Sequence, residues 1–275
     1  LEFYNVGTKQ TTRIERGGSP AWFNNDTWAT FKIAVPFAKV RQAKIDKVKA
    51  DKMPKDTFAV MNLAEMKVVK LPGAKELKTS AKGALYAYTY EVTPVKDTTV
   101  KDSAAKGNKT PGKYDRLVVV DVRTGDSTVV DSVKNFTVAE NGRSVLYTRE
   151  ADSLKAVYVY TVDPKRGVLQ RELWSSKLGA VSPSLVLDRS GEQGAFLVTA
   201  DTVKHALYDL YYFSTTDLKP RQVADAQIIG LPGGYAVSRF GNLSFNHEGN
   251  RLQFGIAPKP KEVPKDTSVS YTHLR

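Results

Sequence analysis

Residues 136–147 read FTVAENGRSVLY. An apolar stretch leads into a polar turn, Glu140-Asn141-Gly142, and a second apolar stretch, Val145-Leu146-Tyr147, leads out of it. Gly and Asn tolerate the positive φ angles that tight turns between strands require. The stretch therefore predicts a β-hairpin.

Four more segments show the same succession of an apolar stretch, a polar turn and a second apolar or aromatic stretch: residues 21–31, 77–88, 185–198 and 243–254. The five turns are marked by Thr27, Gly83, Gly142, Gly191 and Gly249, which are 56, 59, 49 and 58 residues apart. Self-similarity at a period of this length is typical of repeat architectures.

Each of the first four units contains a second hairpin, whose opening strand is Phe58–Leu63, Leu117–Val122, Val157–Tyr160 or Leu207–Phe213. Two hairpins per unit make a four-stranded antiparallel sheet. Such sheets repeated along a chain indicate a β-propeller, in which neighbouring sheets bury one another's faces. We therefore predict an all-β chain: a β-propeller fragment of about four complete four-stranded antiparallel blades and a partial fifth.

The predicted propeller fragment covers residues 1–268, with blades at approximately residues 21–72, 77–131, 136–174, 184–224 and 243–268, the last being partial. Residues 8–16 are expected to supply the last strand of a preceding blade, so the fragment is interpreted as truncated at both ends. The final residues 269–275 depart from the pattern and are interpreted as a non-native tail. The total number of blades stays open.

The charge of the chain is strongly basic, with 41 Lys and Arg against 29 Asp and Glu and a formal net charge of +12. Three stretches carry +8 of this charge: residues 36–57 with +4, residues 92–113 with +3 and residues 258–269 with +1. All three are poor in large apolar residues. Because this composition is typical of solvated loops, we interpret these stretches as charged insertions and not as a nucleic-acid face.

The first two basic insertions fall between the second and third strands of a blade, so both should leave the disc on the same face. Only the first shows helical spacing, with Val40, Ile45 and Val48 predicted to line a short lysine-rich helix.

No catalytic, cofactor-binding or metal-binding residue is predicted. The chain has no cysteine, and its histidines, His205, His247 and His273, are too far apart in sequence to suggest a metal site.

The strings nearest to a Gly-x-Ser-x-Gly nucleophile elbow, residues 142–145 and 189–191, fit hairpin turns better. Residues 230–234 lack the lysine and helix of a phosphate loop and are predicted to connect blades four and five. No apolar run is long enough for a membrane span.

Alternating aromatic residues, among them Tyr86, Tyr88 and Tyr90, lie on one side of a predicted strand. Packing between blades is the favoured interpretation, and a stacking platform for a ligand is the alternative. Trp22 and Phe136 occupy equivalent positions in their hairpins, and both are expected to be buried.

Several stretches resemble the amino-terminal propeller of bacterial serine peptidases of the prolyl oligopeptidase family: residues 12–23, 53–57, 61–63, 255–258 and 263–267. The resemblance covers essentially residues 8–268. It implies that the parent protein is a serine peptidase whose carboxy-terminal α/β-hydrolase domain, missing here, carries a Ser, Asp, His triad. The propeller would gate and orient short peptide substrates, and this fragment itself would be inactive.

No triad residue can be carried over to this chain. The paired glutamates of dipeptidyl peptidase relatives are not recognisable either, so the peptide specificity stays open. The resemblance implies a periplasmic or secreted location, and the sequence leaves a cytoplasmic one open. The expected partners are the hydrolase domain and short peptides, without nucleic acid, cofactor or membrane span. The alternative function is a stand-alone propeller that binds a protein or a glycan.

Overall fold

Four antiparallel sheets of four strands each follow one another along the chain in the computed structural model, which describes residues 1–94, 112–163, 167–202, 206–225 and 230–260. The predictions for His205, for His273 and for the tail at 269–275 fall outside the described residues. Most of the second basic insertion and the end of the partial fifth blade also do so.

A two-stranded hairpin opens the chain and the first blade follows it. The hairpin consists of β1 (Glu2–Asn5) and β2 (Gln10–Arg13). The first blade contains β3 (Gly17–Phe23), β4 (Trp28–Ile33), the helix α1 (Phe37–Ile45), a 3₁₀ turn (Ala50–Lys52), β5 (Thr57–Asn62) and β6 (Lys67–Leu71).

The next three blades have the same order of strands. Blade two contains β7 (Ala74–Thr79), β8 (Leu85–Val92), β9 (Tyr114–Asp121) and β10 (Ser127–Val130). Blade three contains β11 (Val133–Val138), β12 (Ser144–Ala151), β13 (Leu154–Asp163) and β14 (Gly167–Ser176). Blade four contains β15 (Ala180–Leu187), β16 (Gln193–Thr199), β17 (Asp209–Ser214) and β18 (Arg221–Ala224).

A fifth, partial blade closes the described chain. Its short strands are β19 (Tyr235–Val237), β20 (Ser244–Phe245), β21 (Leu252–Gln253) and β22 (Ile256–Pro258). β19 pairs with β22 and β20 pairs with β21, so together they form one interrupted hairpin. Within each complete blade the strands pair antiparallel in chain order. The predicted fold class, an all-β propeller fragment, is confirmed.

The first strand of every complete blade contains an irregularity that the sequence pattern does not show. The register shifts between Gly18 and Ala21 in β3, and corresponding shifts occur in β7, β11 and β15. Such bulges insert extra residues and break the two-residue alternation of side chains. These strands begin three or four residues before the starts expected from the alternation.

The hydrophobic core consists of clusters that lie between neighbouring blades. Tyr147 and Val145 of β12 pack towards Leu85 and Val119 of blade two, whereas Leu146 packs towards Phe196 of blade four. Because successive side chains of a strand point to opposite faces, the apolar run in β12 serves two interfaces at once. The same arrangement joins blade one to blade two and blade four to the partial fifth blade.

Trp22 is half exposed, with 50% of its surface accessible, and the prediction that it is buried is wrong. Phe136, in contrast, is 2% exposed, as predicted. Both residues face the preceding element of the chain, but for Phe136 this is the four-stranded blade two. For Trp22 it is the β1–β2 hairpin, where the Phe3 ring contacts the indole edge-on at 5.8 Å between ring centroids. Two strands cover less of a neighbour's face than four strands do.

The predicted helix in the first insertion is α1, but its packing differs from the prediction. Ala43 is the buried residue of the helix, whereas Ile45 is 62% exposed. Val40 and Val48 are half-buried. Since α1 has nine residues, and no other helix in the described ranges is longer, none of the described helices is long enough to cross a membrane.

The turns of the five first hairpins contact one another from blade to blade. Asn24 N–H donates to the Ser80 carbonyl at 3.4 Å, and Lys82 N–H donates to the Glu140 carbonyl at 2.9 Å. Further along, the Asn141 amide donates to the Ser190 carbonyl, and Gln193 Nε2 donates to the Gly249 carbonyl at 2.6 Å. These contacts place the turns of successive blades side by side on one face of the molecule.

Ion pairs also join these turns. Glu140 accepts two hydrogen bonds from the Arg189 guanidinium of blade four, from Nε at 2.5 Å and from Nη2 at 2.6 Å. Lys82 Nζ of blade two lies 3.5 Å from the same carboxylate. The hydrogen bonds from Arg189 are the main reason why the pKa of Glu140 lies below its ordinary value of 4.5. A folded-state pKa below the unfolded one means that ionisation of Glu140 stabilises the fold.

We expect Glu140→Gln to lower the free energy of unfolding at neutral pH, and we expect the difference from the wild type to disappear in acid. The contribution of Glu140 is present above its ordinary, unfolded pKa of 4.5 and is lost as the pH falls through the lower folded value. Chemical denaturation at a series of pH values measures this. Glu192→Gln is the matched control, because Glu192 is exposed and lies 3.4 Å from Arg143. A difference for Glu140→Gln that did not change with pH would contradict the assignment.

Candidate functional site

The two faces of the molecule are built from different connections. The turn face carries the contacting first-hairpin turns: residues 24–27, 80–84, 139–143, 188–192 and 246–251. The opposite loop face carries the described connections between second and third strands and between blades: residues 34–56, 72–73, 131–132, 152–153 and 177–179. β4 and β8, the strands that precede the two basic insertions, both end at the loop face.

A cleft of about 700 Å³ opens at the loop face where blades three, four and five meet. We call it the interblade cleft. Its lining includes Ala180, Thr199 and Tyr208 of blade four. Residues 177–179 lie on one side, and residues 236–240 of the partial fifth blade lie on the other. Its volume lies within the range of about 300–1,000 Å³ that is usual for ligand pockets.

Gly179 determines how closely the connection between blades three and four approaches the cleft. Its φ angle is +74°, and a Cβ atom at this position would lie 1.8 Å from the Thr199 carbonyl oxygen. Only glycine fits so close to another backbone with this conformation. The close approach sets Lys177 and Leu178 along one side of the cleft.

Arg239 is held against aromatic rings on the other side. Its Nη1 donates to the Tyr208 hydroxyl at 3.2 Å. Its guanidinium carbon lies 5.7 Å from the centre of the Tyr208 ring and 4.6 Å from that of Phe240. Tyr208 is 4% exposed, whereas Phe240 is 86% exposed. The cleft therefore presents a positioned guanidinium beside an aromatic ring that is open to solvent.

Positive charge predominates around the interblade cleft. Lys155, Lys177 and Arg239 line it, and Asp201 is the one carboxylate among its lining residues. Within the part of the chain that the structure describes, none of the three cations forms an ion pair with an acidic residue. Such a surface attracts anions.

A smaller cavity of about 370 Å³ lies at the base of the first insertion. It is lined by four cations, Arg16, Lys39, Lys55 and Lys70, and by no carboxylate. Arg16 Nε donates to the Ala34 carbonyl at 3.1 Å. The loop face is thus basic at blade one as well as at the interblade cleft.

The candidate catalytic and metal-binding residues that the structure describes are not assembled into such a site. His247 lies in the exposed turn between β20 and β21, where Nδ1 is 3.3 Å from a Glu248 carboxylate oxygen. No group of three His, Asp or Glu residues in the described ranges is arranged to hold a metal ion. Ser144 is buried, and its hydroxyl donates to the Gly191 carbonyl at 2.6 Å, which is a contact between blades.

The described aromatic residues pack mainly between blades. Tyr86 packs between blades one and two, and burial raises its pKa to about 12. Tyr88 lies half-buried beside it, with ring centroids 6.3 Å apart. Tyr208 is also buried between blades, in the cluster of blades four and five, and its ring and hydroxyl contact Arg239 where it borders the interblade cleft. No motif in the sequence identifies Arg239 or Phe240 as parts of a site.

Comparison with known proteins gives structural similarity only. No family model matches the chain, and no curated protein matches it. Similar solved structures include the β-propeller domain of the Trilobed protease from Pyrococcus furiosus, at 14% identity and a TM-score of 0.44 over 91% of this chain and 66% of that one. An acylaminoacyl peptidase in complex with Z-Gly-Gly-Phe-chloromethyl ketone follows, at 11% identity and a TM-score of 0.43 over 89% and 36%.

TolB from Acinetobacter baumannii is also similar, at 11% identity and a TM-score of 0.37, with 94% of this chain and 56% of that one covered. The chain therefore spans between 36% and 66% of the length of these three structures. At such identities the similarity concerns the arrangement of strands and not the activity.

Proposed function

We propose that this chain is the non-catalytic propeller of a serine peptidase of the prolyl oligopeptidase family, where it restricts and orients short peptides for an α/β-hydrolase domain of the parent protein. The observation that carries the proposal is the interblade cleft, with its volume of about 700 Å³ and its mixed lining. The choice of family rests on the sequence resemblance over residues 8–268. A periplasmic or secreted location is part of the same proposal and rests on that resemblance alone.

The lining of the cleft suits a short peptide. Ala180, Val237 and Leu178 offer apolar contact to side chains, while Thr199 and Arg239 offer polar groups. Ligand sites commonly combine predominantly apolar walls with a few polar groups that fix orientation. Holding a substrate in a productive orientation can supply a large part of a rate enhancement without any chemical step.

The chemical step itself requires groups that the described residues do not bring together. A serine peptidase needs a serine hydroxyl hydrogen-bonded to a histidine, which is in turn oriented by a carboxylate. No hydrogen bond joins a serine to a histidine within the described ranges, where His247 contacts Glu248. In this proposal, acyl transfer belongs to the hydrolase domain of the parent protein.

The purified 275-residue chain is expected to bind short peptides and to hydrolyse none of them. Isothermal titration calorimetry with a panel of tri- to hexapeptides measures binding, and chromogenic prolyl and dipeptidyl substrates report hydrolysis. Thr202→Trp places a large side chain on the cleft lining and should weaken peptide binding at least tenfold. Thr216→Trp is the matched control, because Thr216 is also exposed but lies between β17 and β18 at the turn face.

Two results would contradict the proposal. Turnover of a chromogenic substrate by the pure chain would place catalysis within it. Failure of the whole panel to bind would remove the orienting role and would favour the alternative, a propeller that binds a protein or a glycan.

A further inference from the structure

Arg239 differs from three other described arginines, each of which binds a carboxylate with two nitrogens. Arg116 forms two hydrogen bonds to Asp131, at 2.5 and 3.0 Å, and Arg189 forms two to Glu140. Arg123 likewise binds Asp121 with two nitrogens. Arg239 also has a fixed contact, but its partner is the neutral hydroxyl of Tyr208.

Among the described residues, one hydrogen-bond acceptor contacts the Arg239 side chain. A guanidinium has five N–H donors, arranged as a planar fork that matches the two oxygens of a carboxylate. Within the described residues, the hydrogen bond from Nη1 to Tyr208 is the one that Arg239 makes through its side chain. Its other four donors have no hydrogen-bond partner among the described residues and can serve a ligand.

The surroundings favour a charge-assisted contact at this point. The Phe240 ring lies 4.6 Å from the guanidinium carbon, and the Tyr208 ring lies 5.7 Å from it. Contact with the two rings removes part of the water around the guanidinium, which strengthens its attraction to an anion. Lys155 and Lys177 also line the cleft and add two positive charges.

The remainder of the cleft is better suited to peptide than to a small inorganic anion. A cavity of about 700 Å³ is far larger than one carboxylate or phosphate group. Val237, Ala236 and Leu178 contribute apolar surface next to the cations. The ligand should therefore carry both a negative group, for the cations, and apolar groups, for the apolar surface of the cleft.

We infer that the interblade cleft binds peptides through a carboxylate, with the Arg239 guanidinium as its bidentate partner and Phe240 as an apolar contact beside it. This inference rests on the proposed function and narrows it to a class of peptides. The carboxylate can belong to a free peptide C-terminus or to an acidic side chain, and the geometry at Arg239 suits both.

Four peptides of otherwise identical sequence separate these sources in calorimetric titrations of the whole chain. The first has a free C-terminus and the second a C-terminal amide, and neither has an acidic residue. The third and fourth are amidated and carry Glu or Gln at one position. We expect the best carboxylate peptide to bind about ten- to a hundredfold more tightly than its neutral counterpart, which is the range for hydrogen bonds to charged groups. Two differences in affinity are compared: that between the free C-terminus and the C-terminal amide, and that between the Glu and the Gln peptide. The pair with the larger difference identifies the preferred carboxylate.

Variants at Arg239 test the residue itself. Arg239→Gln should abolish the preference, so that the carboxylate peptide binds no more tightly than its neutral counterpart, and Arg239→Lys should retain part of the preference because it keeps the charge without the fork. Arg251→Gln is the matched control, since Arg251 is exposed, is unpaired in the described residues and lies at the turn face. The preference should also weaken when the salt concentration is raised.

The outcomes distinguish this inference from the proposed function. If the amidated neutral peptides bind the wild type as tightly as the carboxylate peptides, the inference is overturned and the orienting role stands. If Arg239→Gln keeps the carboxylate preference while circular dichroism shows an intact fold, Arg239 is not the partner and the inference is likewise overturned. If none of the four peptides binds, both fail.

Discussion

Replacement of Phe23 by alanine is expected to lower the free energy of unfolding by about 3–5 kcal/mol, the usual cost of deleting a buried aromatic side chain. Phe23 is fully buried between blades one and two. Its ring centroid lies 6.2 Å from that of Tyr86, and Val60 and Leu71 belong to the same cluster. The loss combines removal of apolar contact with a cavity that two facing sheets cannot close. Chemical denaturation of the purified variant measures it.

The neighbouring residue supplies the control. Trp22→Ala removes a larger side chain from the same strand, but Trp22 is half exposed and faces the β1–β2 hairpin. We expect a loss of about 1–2 kcal/mol, mostly from the contact with Phe3 and from partial burial. Equal losses for the two variants would mean that the faces of β3 had been assigned incorrectly.

The second large effect is expected at Gly83, in the first-hairpin turn of blade two. A Cβ atom on Gly83 would lie 2.0 Å from the carbonyl oxygen of Asn141 in blade three. Because the obstacle is backbone, a side-chain movement cannot relieve the clash, and the two blades must separate. Overpacking usually costs about 1–3 kcal/mol. We therefore expect Gly83→Ala to cost about 3 kcal/mol or more, again measured by chemical denaturation.

Gly18→Ala is the control for this clash. No atom lies within 4 Å of a Cβ built on Gly18, which belongs to β3 and has no positive φ angle. We expect a change within about 1 kcal/mol, with the sign favouring alanine, because glycine loses more conformational freedom on folding. A loss at Gly83 no larger than that at Gly18 would contradict the close contact of the first-hairpin turns.

The sequence was sufficient to predict the order of strands because the turn residues themselves repeat. The turn glycines Gly83, Gly142 and Gly191 all lie in first-hairpin turns, and each would meet atoms of another turn if it carried a Cβ. The apolar run Val145-Leu146-Tyr147 in β12 also puts apolar side chains on both faces of the strand, which is the pattern expected of a strand buried on both faces.

The failures of sequence interpretation concern properties that depend on neighbours in space. The exposure of Trp22 depends on how much of its side chain β1 and β2 cover. The residues next to Trp22 in the sequence do not determine this. The interblade cleft joins Lys177, Tyr208 and Arg239 from three separate parts of the chain, with no spacing that a motif would show. The bulges in the first strands depend on pairing with the second strands.

Cross-strand contacts in a nuclear Overhauser spectrum of the backbone test the central claim most directly, namely that the chain forms a succession of separate four-stranded sheets. In β5, Val60 should show contacts to Thr30 and Val69, its partners in β4 and β6. In β9, Val119 should show contacts to Ala87 and Thr128, its partners in β8 and β10. Contacts that pair β5 with β9 in one sheet, or helical contacts along either segment, would contradict the account.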